Sequence, residues 1–217
     1  MHLDAKGYIF DLDGTLAISQ HFHFEAYRKV FAENNIIYTK EDDIALYAGQ
    51  GSEKIFPHVF AKHDRSLTTE QVQQLIQRKR AIYKNLLETS DISPVPGIQQ
   101  YLQKLEAEDK KIIVATGNRF APSKTILEKT DLAHFFTKLV TIEDVTEPKP
   151  APETFLLAMN ELELEPEECI IFEDAVNGVK AAKAANMYCV AVTTGTPKDD
   201  LERAGADTVI DSYEELL

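Results

Sequence analysis

The 217-residue sequence is short of cysteine, short of basic charge and without a long apolar run, and each shortage excludes a class of protein. Its two cysteines, Cys169 and Cys189, lie inside apolar stretches. That is too few for a disulfide scaffold and not the closely spaced Cys/His pattern of a zinc site, so both are expected to be buried, reduced thiols. Lysine and arginine together number 23 against 36 aspartates and glutamates, a formal net charge of −13. Such a balance repels phosphate backbones and anionic membranes, which argues against nonspecific binding to nucleic acid or to a membrane surface. It leaves room for an anionic substrate, because a metal ion and a few local donors override the global field at a site. No stretch approaches the ~20 apolar residues of a membrane span. Residues Met1 to Gly7 carry no basic-then-apolar export signal. A cytoplasmic protein is the expectation, and a monomer. There is no internal repeat and no low-complexity tract.

What is present is an ordinary globular composition, 44% hydrophobic and 27% charged, with a length suited to one large domain or a core with an insert. Short apolar runs recur at Tyr8–Phe10, Ile112–Ala115, Leu139–Thr141, Cys169–Phe172, Cys189–Val192 and Thr208–Ile210. They do not alternate with polar residues, the pattern of strands buried on both faces of a parallel sheet. Helix-period stripes lie between them: Ile98, Tyr101, Leu102 and Leu105, then Phe155, Leu156, Met159 and Leu162, then the small-residue helix Val179–Ala185. Strands alternating with helices predict an α/β fold with a doubly wound parallel sheet.

From about Ala17 to Ile92 that rhythm stops and only helical patterns remain. Thr39 is placed to cap a short helix ending near Gly49, and Ser52 to cap the next, which Pro57 should kink or shorten. A longer helix starts near Thr69, with Val72, Leu75, Ile76, Lys79, Ile82, Tyr83 and Leu86 at 3–4 spacing. The parse is therefore an α/β core of residues 1–17 and 92–217, and a helical cap, residues 18–91, inserted after the first strand.

In open α/β sheets ligands bind beyond the carboxyl ends of the strands. Here those ends carry Asp11-Leu12-Asp13-Gly14-Thr15, Thr116-Gly117-Asn118 and Glu173-Asp174, with Lys149 between prolines 148 and 150 just ahead of a helix. Glycines 14, 117 and 178 allow close backbone approach on the same rim. Clustered carboxylates repel one another unless a hard cation sits among them, and Mg2+ suits one or two carboxylates together with substrate phosphate oxygens. Two acids two residues apart can divide the work, one attacking phosphorus and the other serving the leaving oxygen as general acid. A lysine and a threonine then neutralise and fix the phosphoryl group.

Phe10-Asp11-Leu12-Asp13-Gly14-Thr15-Leu16, Thr116-Gly117-Asn118, Lys149-Pro150-Ala151-Pro152 and Phe172-Glu173-Asp174-Ala175 resemble, in order, the four signature motifs of the haloacid dehalogenase superfamily. The helical insert is similar to the small cap of its β-phosphoglucomutase and sugar-phosphate phosphatase branch. The resemblance implies that Asp11 is the nucleophile, forming an aspartyl phosphate, and that Asp13 protonates the leaving group and then activates water. It implies that Thr116 and Lys149 bind phosphoryl oxygens. Mg2+ would be held by Asp11, the Asp13 carbonyl and Asp174, with Glu173 acting mainly through water. Gly14, Gly117 and Asn118 become substrate contacts of the core, and His23, Gly49 and Ser52 those of the cap.

Two departures bear on the substrate. Ile18-Ser19 stands where the family often has an acid followed by Ser or Thr, which should alter a hinge or a support of the site. The mutase cap pattern has a lysine before its glycine and an arginine three residues after; aligned on Gly49 those positions are Ala48 and Ser52. A mutase must hold a second phosphate with cationic donors. The expectation is thus an Mg2+-dependent phosphatase of a small phosphorylated metabolite, a sugar phosphate by preference. The alternatives are a β-phosphoglucomutase, with Lys54 or Arg119 as substitute clamp, and an inactive phosphate-binding or regulatory protein.

Overall fold

A computed structural model describes residues 4–47 and 51–217. In chain order, strand β1 (Gly7–Phe10) is followed by helices α1 (His21–Glu33), α2 (Lys40–Tyr47), α3 (Ser52–Ala61), α4 (Thr69–Thr89) and α5 (Ile98–Ala107). Then come β2 (Lys111–Ala115), α6 (Phe120–Lys129), β3 (Leu139–Val140), α7 (Glu153–Leu162), β4 (Cys169–Glu173), α8 (Val176–Ala184), β5 (Tyr188–Val192), α9 (Lys198–Ala204) and β6 (Thr208–Ile210). The chain divides into two compact units, Met1–Ser19 with Asp91–Leu217, and Gln20–Ser90.

The first unit is built on a six-stranded sheet in the order β3-β2-β1-β4-β5-β6, every pairing parallel. It is the α/β, doubly wound arrangement that the unalternated apolar runs predict. β1 lies between β2 and β4, with Phe10 opposite Val114 on one side and Phe172 on the other. All four of its residues are buried, as a strand covered on both faces requires. Because side chains alternate, Tyr8 and Phe10 join an aromatic layer with Tyr101, Phe172 and Tyr213, the Phe10 and Phe172 rings 4.8 Å apart. Ile9 faces the other way, into a core with Ile113, Ile171, Phe155 and Val179. α8 contributes Gly178, Val179, Ala181 and Ala182 to its buried side, small residues that bring its backbone close to the sheet.

The chain leaves and re-enters this unit side by side. Ala17 pairs with Pro94 in an antiparallel bridge, Ile18 N donates to Ser93 O (2.9 Å) and Val95 N to Leu16 O (3.0 Å). These bonds carry the first unit past residue 17, through Ile18 and Ser19.

The second unit packs α1 against α4 over an aromatic cluster of Tyr27, Phe31, Tyr38, Phe56 and Phe60. Thr39 caps α2 through its Oγ1, which accepts from Asp42 N at 3.2 Å. Thr68 and Gln71 form a capping box on α4. One local expectation gives way here. Ser52 does not cap α3: Gly51 is the cap residue, and the Ser52 hydroxyl bonds Tyr27 Oη at 2.6 Å instead. Pro57 lies inside that helix, with Ile55, Phe56, Val59 and Phe60 buried on both sides of it. Both cysteines are free and buried, and burial pushes the Cys169 thiol up to about 11 and Cys189 higher still. Among the described residues no helix is long and apolar enough to cross a membrane.

Candidate active site

β1 and β4 are neighbours whose chain connections run to opposite sides of the sheet, and the crevice at such a switch point is where open α/β sheets bind ligands. Asp11 is the first residue past β1, its N–H donating to Phe172 O (2.9 Å) and continuing the ladder with β4. Glu173 closes β4, and Asp174 follows it. Asp11, Glu173 and Asp174 each bring a carboxylate oxygen within 4.8 Å of the others, and all three are buried.

Lys149 enters this group from the loop ahead of α7, across a cis peptide bond to Pro150. Its ammonium donates to Asp11 Oδ1 (2.6 Å), Glu173 Oε1 (2.7 Å) and Ala115 O (3.0 Å), so each of its three protons has an acceptor. Its Nζ also stands 4.4 Å from the centre of the Phe155 ring. The second oxygen of Glu173 accepts from the amides of Asp174 (2.9 Å) and Ala175 (3.0 Å). Glu173 is therefore committed to Lys149 and to the start of α8. Asp174 and the remaining oxygen of Asp11 are the carboxylate atoms best placed for a further cation.

Three carboxylates around one ammonium leave the cluster with excess negative charge. Burial raises the Asp11 pKa to about 7, opposed by Lys149 and reinforced by Glu173. Burial, and then Glu173 and Asp11, raise that of Asp174 well above the carboxylate range. Burial works against the charge on Lys149, but Asp11 and Glu173 outweigh it and its pKa is raised. A buried, all-oxygen donor set with surplus negative charge is the environment a hard divalent cation such as Mg2+ fits.

Asp13 is turned out of this cluster. Its carboxylate accepts from Ser19 Oγ (2.5 Å) on one oxygen and from Asn118 Nδ2 on the other. The two acids of Asp-Leu-Asp thus occupy different surroundings, one against an ammonium and carboxylates, the other between neutral donors. Gly14 takes the left-handed conformation, φ +79°, that makes this turn, and Thr194 Oγ1 donates to its carbonyl. Thr116 is buried at the end of β2 and its hydroxyl accepts from Asn118 N (3.1 Å). Gly117 is exposed, and a Cβ there would meet no protein atom within 4 Å, so packing does not demand a glycine at that position.

Asp11, Asp13, Gly14, Thr116, Asn118, Lys149, Glu173 and Asp174 therefore meet in the first unit. Ser19 and Thr194 brace the same turn; of these, sequence reasoning had Ser19 only as an altered support and had no signal for Thr194, which lies far away in the chain. Arg119 is ion-paired to Glu143, which also accepts from Phe120 N. In the second unit His23 stacks on Tyr83, centroids 4.1 Å apart, and its Nδ1 lies 2.8 Å from Lys79 Nζ. Lys79 is buried, with Tyr27 and Tyr83 rings 4.8 and 4.9 Å from its ammonium, and Tyr27 bonds Ser52. His23 and Ser52 thus belong to one polar-aromatic group around Lys79. Gly49, and with it Ala48, lies outside the described residues.

Known proteins are similar to this chain in sequence and fold. The haloacid dehalogenase-like hydrolase family matches over residues 8–192. A β-phosphoglucomutase from Bacillus subtilis is 30% identical over 97% of this chain and 91% of its own. The fructose-1-phosphate phosphatase YqaB of Escherichia coli is 30% identical over 86% of this chain and 95% of its own. The crystal structure of CbbY from Rhodobacter sphaeroides in complex with xylulose-(1,5)bisphosphate superposes with a TM-score of 0.86 at 25% identity, covering 98% of this chain and 96% of that one.

Proposed function

The chain belongs to the haloacid dehalogenase-like hydrolases, and from that premise we propose that it is an Mg2+-dependent phosphatase of a small sugar phosphate, working through an aspartyl phosphate on Asp11. The observation that carries this reading is the separation of Asp11 from Asp13: one carboxylate is held against Lys149, the other between Ser19 and Asn118. Asp11 Oδ attacks phosphorus while the bond from phosphorus to the sugar oxygen breaks. Asp13 gives that oxygen its proton. The same carboxylate, now ionised, takes a proton from the water that attacks the aspartyl phosphate, releasing inorganic phosphate and restoring Asp11. Lys149 and Thr116 hold the phosphoryl oxygens. Asp11, the Asp13 carbonyl and Asp174 would hold Mg2+, which supplies positive charge to the phosphoryl oxygens and offsets the crowding of carboxylates.

A phosphoglucomutase would use the same reacting atoms, and the B. subtilis relative keeps it in view as the second reading. What favours hydrolysis is the lack of charge at the mutase position Ser52 and the engagement of Arg119, one of the two cations considered as a substitute clamp. Arg119 is paired with Glu143, and the Ser52 hydroxyl, bonded to Tyr27, brings no charge, which leaves Lys54 as the cation on which the mutase reading depends. The test is the product of β-glucose 1-phosphate incubated with Mg2+ and a trace of bisphosphate primer. Free glucose and inorganic phosphate are expected; sustained formation of glucose 6-phosphate overturns the phosphatase reading in favour of the mutase. A panel of other phosphorylated sugars then ranks the natural substrate.

The charge balance of the site makes a prediction of its own. The folded chain raises Asp11 from 3.8 to about 7, so between those values it keeps a proton that the unfolded chain has lost. Stability from this group therefore falls as pH rises through that window, and Asp174 acts in the same direction. In metal-free buffer the melting temperature should drop between about pH 5 and pH 8. Mg2+ binds the ionised forms, so its stabilising shift should be larger at the upper pH. Differential scanning calorimetry at both values decides, and an equal Mg2+ shift at each counts against the assignment.

A further inference from the structure

We propose that Gly178 is a positioning residue of the active site: the space left by its missing side chain is where the Glu173 carboxylate lies while it holds Lys149 and the amides of Asp174 and Ala175. The inference deepens the phosphatase reading and rests on it for its catalytic consequence.

Gly178 is the third residue of α8, and nothing in its own backbone calls for glycine. Its φ is not in the left-handed region, unlike those of Gly14, Gly97 and Gly205. In a right-handed helix alanine is the better residue, so propensity alone favours replacing it. The reason for glycine is across from it. A Cβ at this position would stand 1.8 Å from both Cδ and Oε1 of Glu173 and 2.3 Å from Oε2. Those are overlaps, not contacts. The carboxylate is the end of a side chain and able in principle to move aside, but it is only 2% exposed and bound on both oxygens. Moving it aside gives up the bond to Lys149, and with it one of the three acceptors that seat the ammonium against Asp11. It also gives up the acceptor that pins the Asp174 amide, and so the backbone from which the Asp174 side chain reaches the carboxylate cluster. Gly178 thus acts on phosphate and metal through Glu173, touching neither.

A double-mutant cycle with Glu173→Ala tests this. Gly178→Ala alone should weaken Mg2+ binding by roughly 10- to 100-fold in titration calorimetry, and lower kcat on an aryl phosphate by a similar factor at saturating Mg2+. Its melting temperature should fall. In the Glu173→Ala background the space is vacant, so Gly178→Ala should leave Mg2+ affinity and kcat unchanged and raise the melting temperature. That reversal of sign is the expected result. Equal losses in both backgrounds overturn the proposal and make Gly178 a packing residue of α8. Coupling in melting temperature with unchanged Mg2+ affinity and kcat in Gly178→Ala also overturns the positioning role. If Gly178→Ala does not fold, a folded double variant whose Mg2+ affinity and kcat match those of Glu173→Ala supports the proposal, and an unfolded double variant, or a folded one weaker than Glu173→Ala on either measure, overturns it. Wild-type protein that turns over no phosphate ester would sink the phosphatase reading instead, while calorimetry and melting still decide the role of Gly178.

Discussion

Asp11→Asn should lose at least ~10³-fold in kcat on any phosphate ester while remaining folded. The amide has nearly the shape of the carboxylate but is a poor nucleophile toward phosphorus, so the aspartyl phosphate does not form. The fold should tolerate it for an electrostatic reason. Asp11 shares its burial with Glu173 and Asp174, and its pKa is raised to about 7 by burial and by Glu173. Neutralising it removes a charge that the cluster accommodates poorly. It weakens the contact with Lys149, which keeps Glu173 and the Ala115 carbonyl. Steady-state kinetics on an aryl phosphate, with a melting curve of the same preparation, gives the answer. Turnover near that of the natural chain in pure variant would remove Asp11 from the mechanism, and complete absence of turnover in the natural chain would leave the inactive binding protein as the reading.

Lys149→Met should be less damaging to rate than Asp11→Asn and far more damaging to stability. Methionine keeps most of the length and apolar body but leaves Asp11 and Glu173 facing each other in a site where both are almost inaccessible. Removing one partner of a buried ion pair costs about 3–5 kcal/mol, because the charge left behind has lost both water and counter-ion. The transferring phosphoryl group also loses a fixed cation, a deficit on the order of 10²- to 10³-fold in kcat for one preorganised donor. The two effects separate with Mg2+. The ion should recover part of the lost stability by re-pairing Asp11, yet leave kcat low, since the ammonium's own contacts are not replaced. Chemical denaturation with and without Mg2+, alongside kinetics, tests this; a variant that keeps both stability and rate shows Lys149 to be a bystander.

The parallel sheet was readable residue by residue because strands buried on both faces must be apolar at every position. Tyr8–Phe10, Cys169–Phe172 and Cys189–Val192 each lie within a residue of the observed strand ends. The same logic located the acids, since a chain leaving such strands deposits polar residues on one rim. What the sequence did not disclose was partnership. Nothing near residue 149 says that Lys149 meets the Ala115 carbonyl, or near residue 194 that its hydroxyl reaches Gly14, because those meetings depend on strand order. Periodicity placed Lys79 on the inner face of α4, but not that two tyrosine rings and an imidazole would surround it. At Ser52 a local rule lost to packing: the hydroxyl was taken by Tyr27, and Gly51 became the cap. Pro57 persists inside a helix for the same kind of reason, a buried face stronger than a missing N–H.

The bonds among Leu16, Ile18, Ser93 and Val95, with the Ala17–Pro94 bridge, have a consequence for inheritance rather than for chemistry. They bring the two ends of residues 20–90 together using core residues alone, so loop closure is secured outside the segment itself. Closure entropy grows only slowly with the length of what is enclosed. A lineage could therefore trade that segment for a longer, shorter or unrelated one, while the strand that leads into Asp11 and every pairing in the sheet passed unaltered from ancestor to descendant.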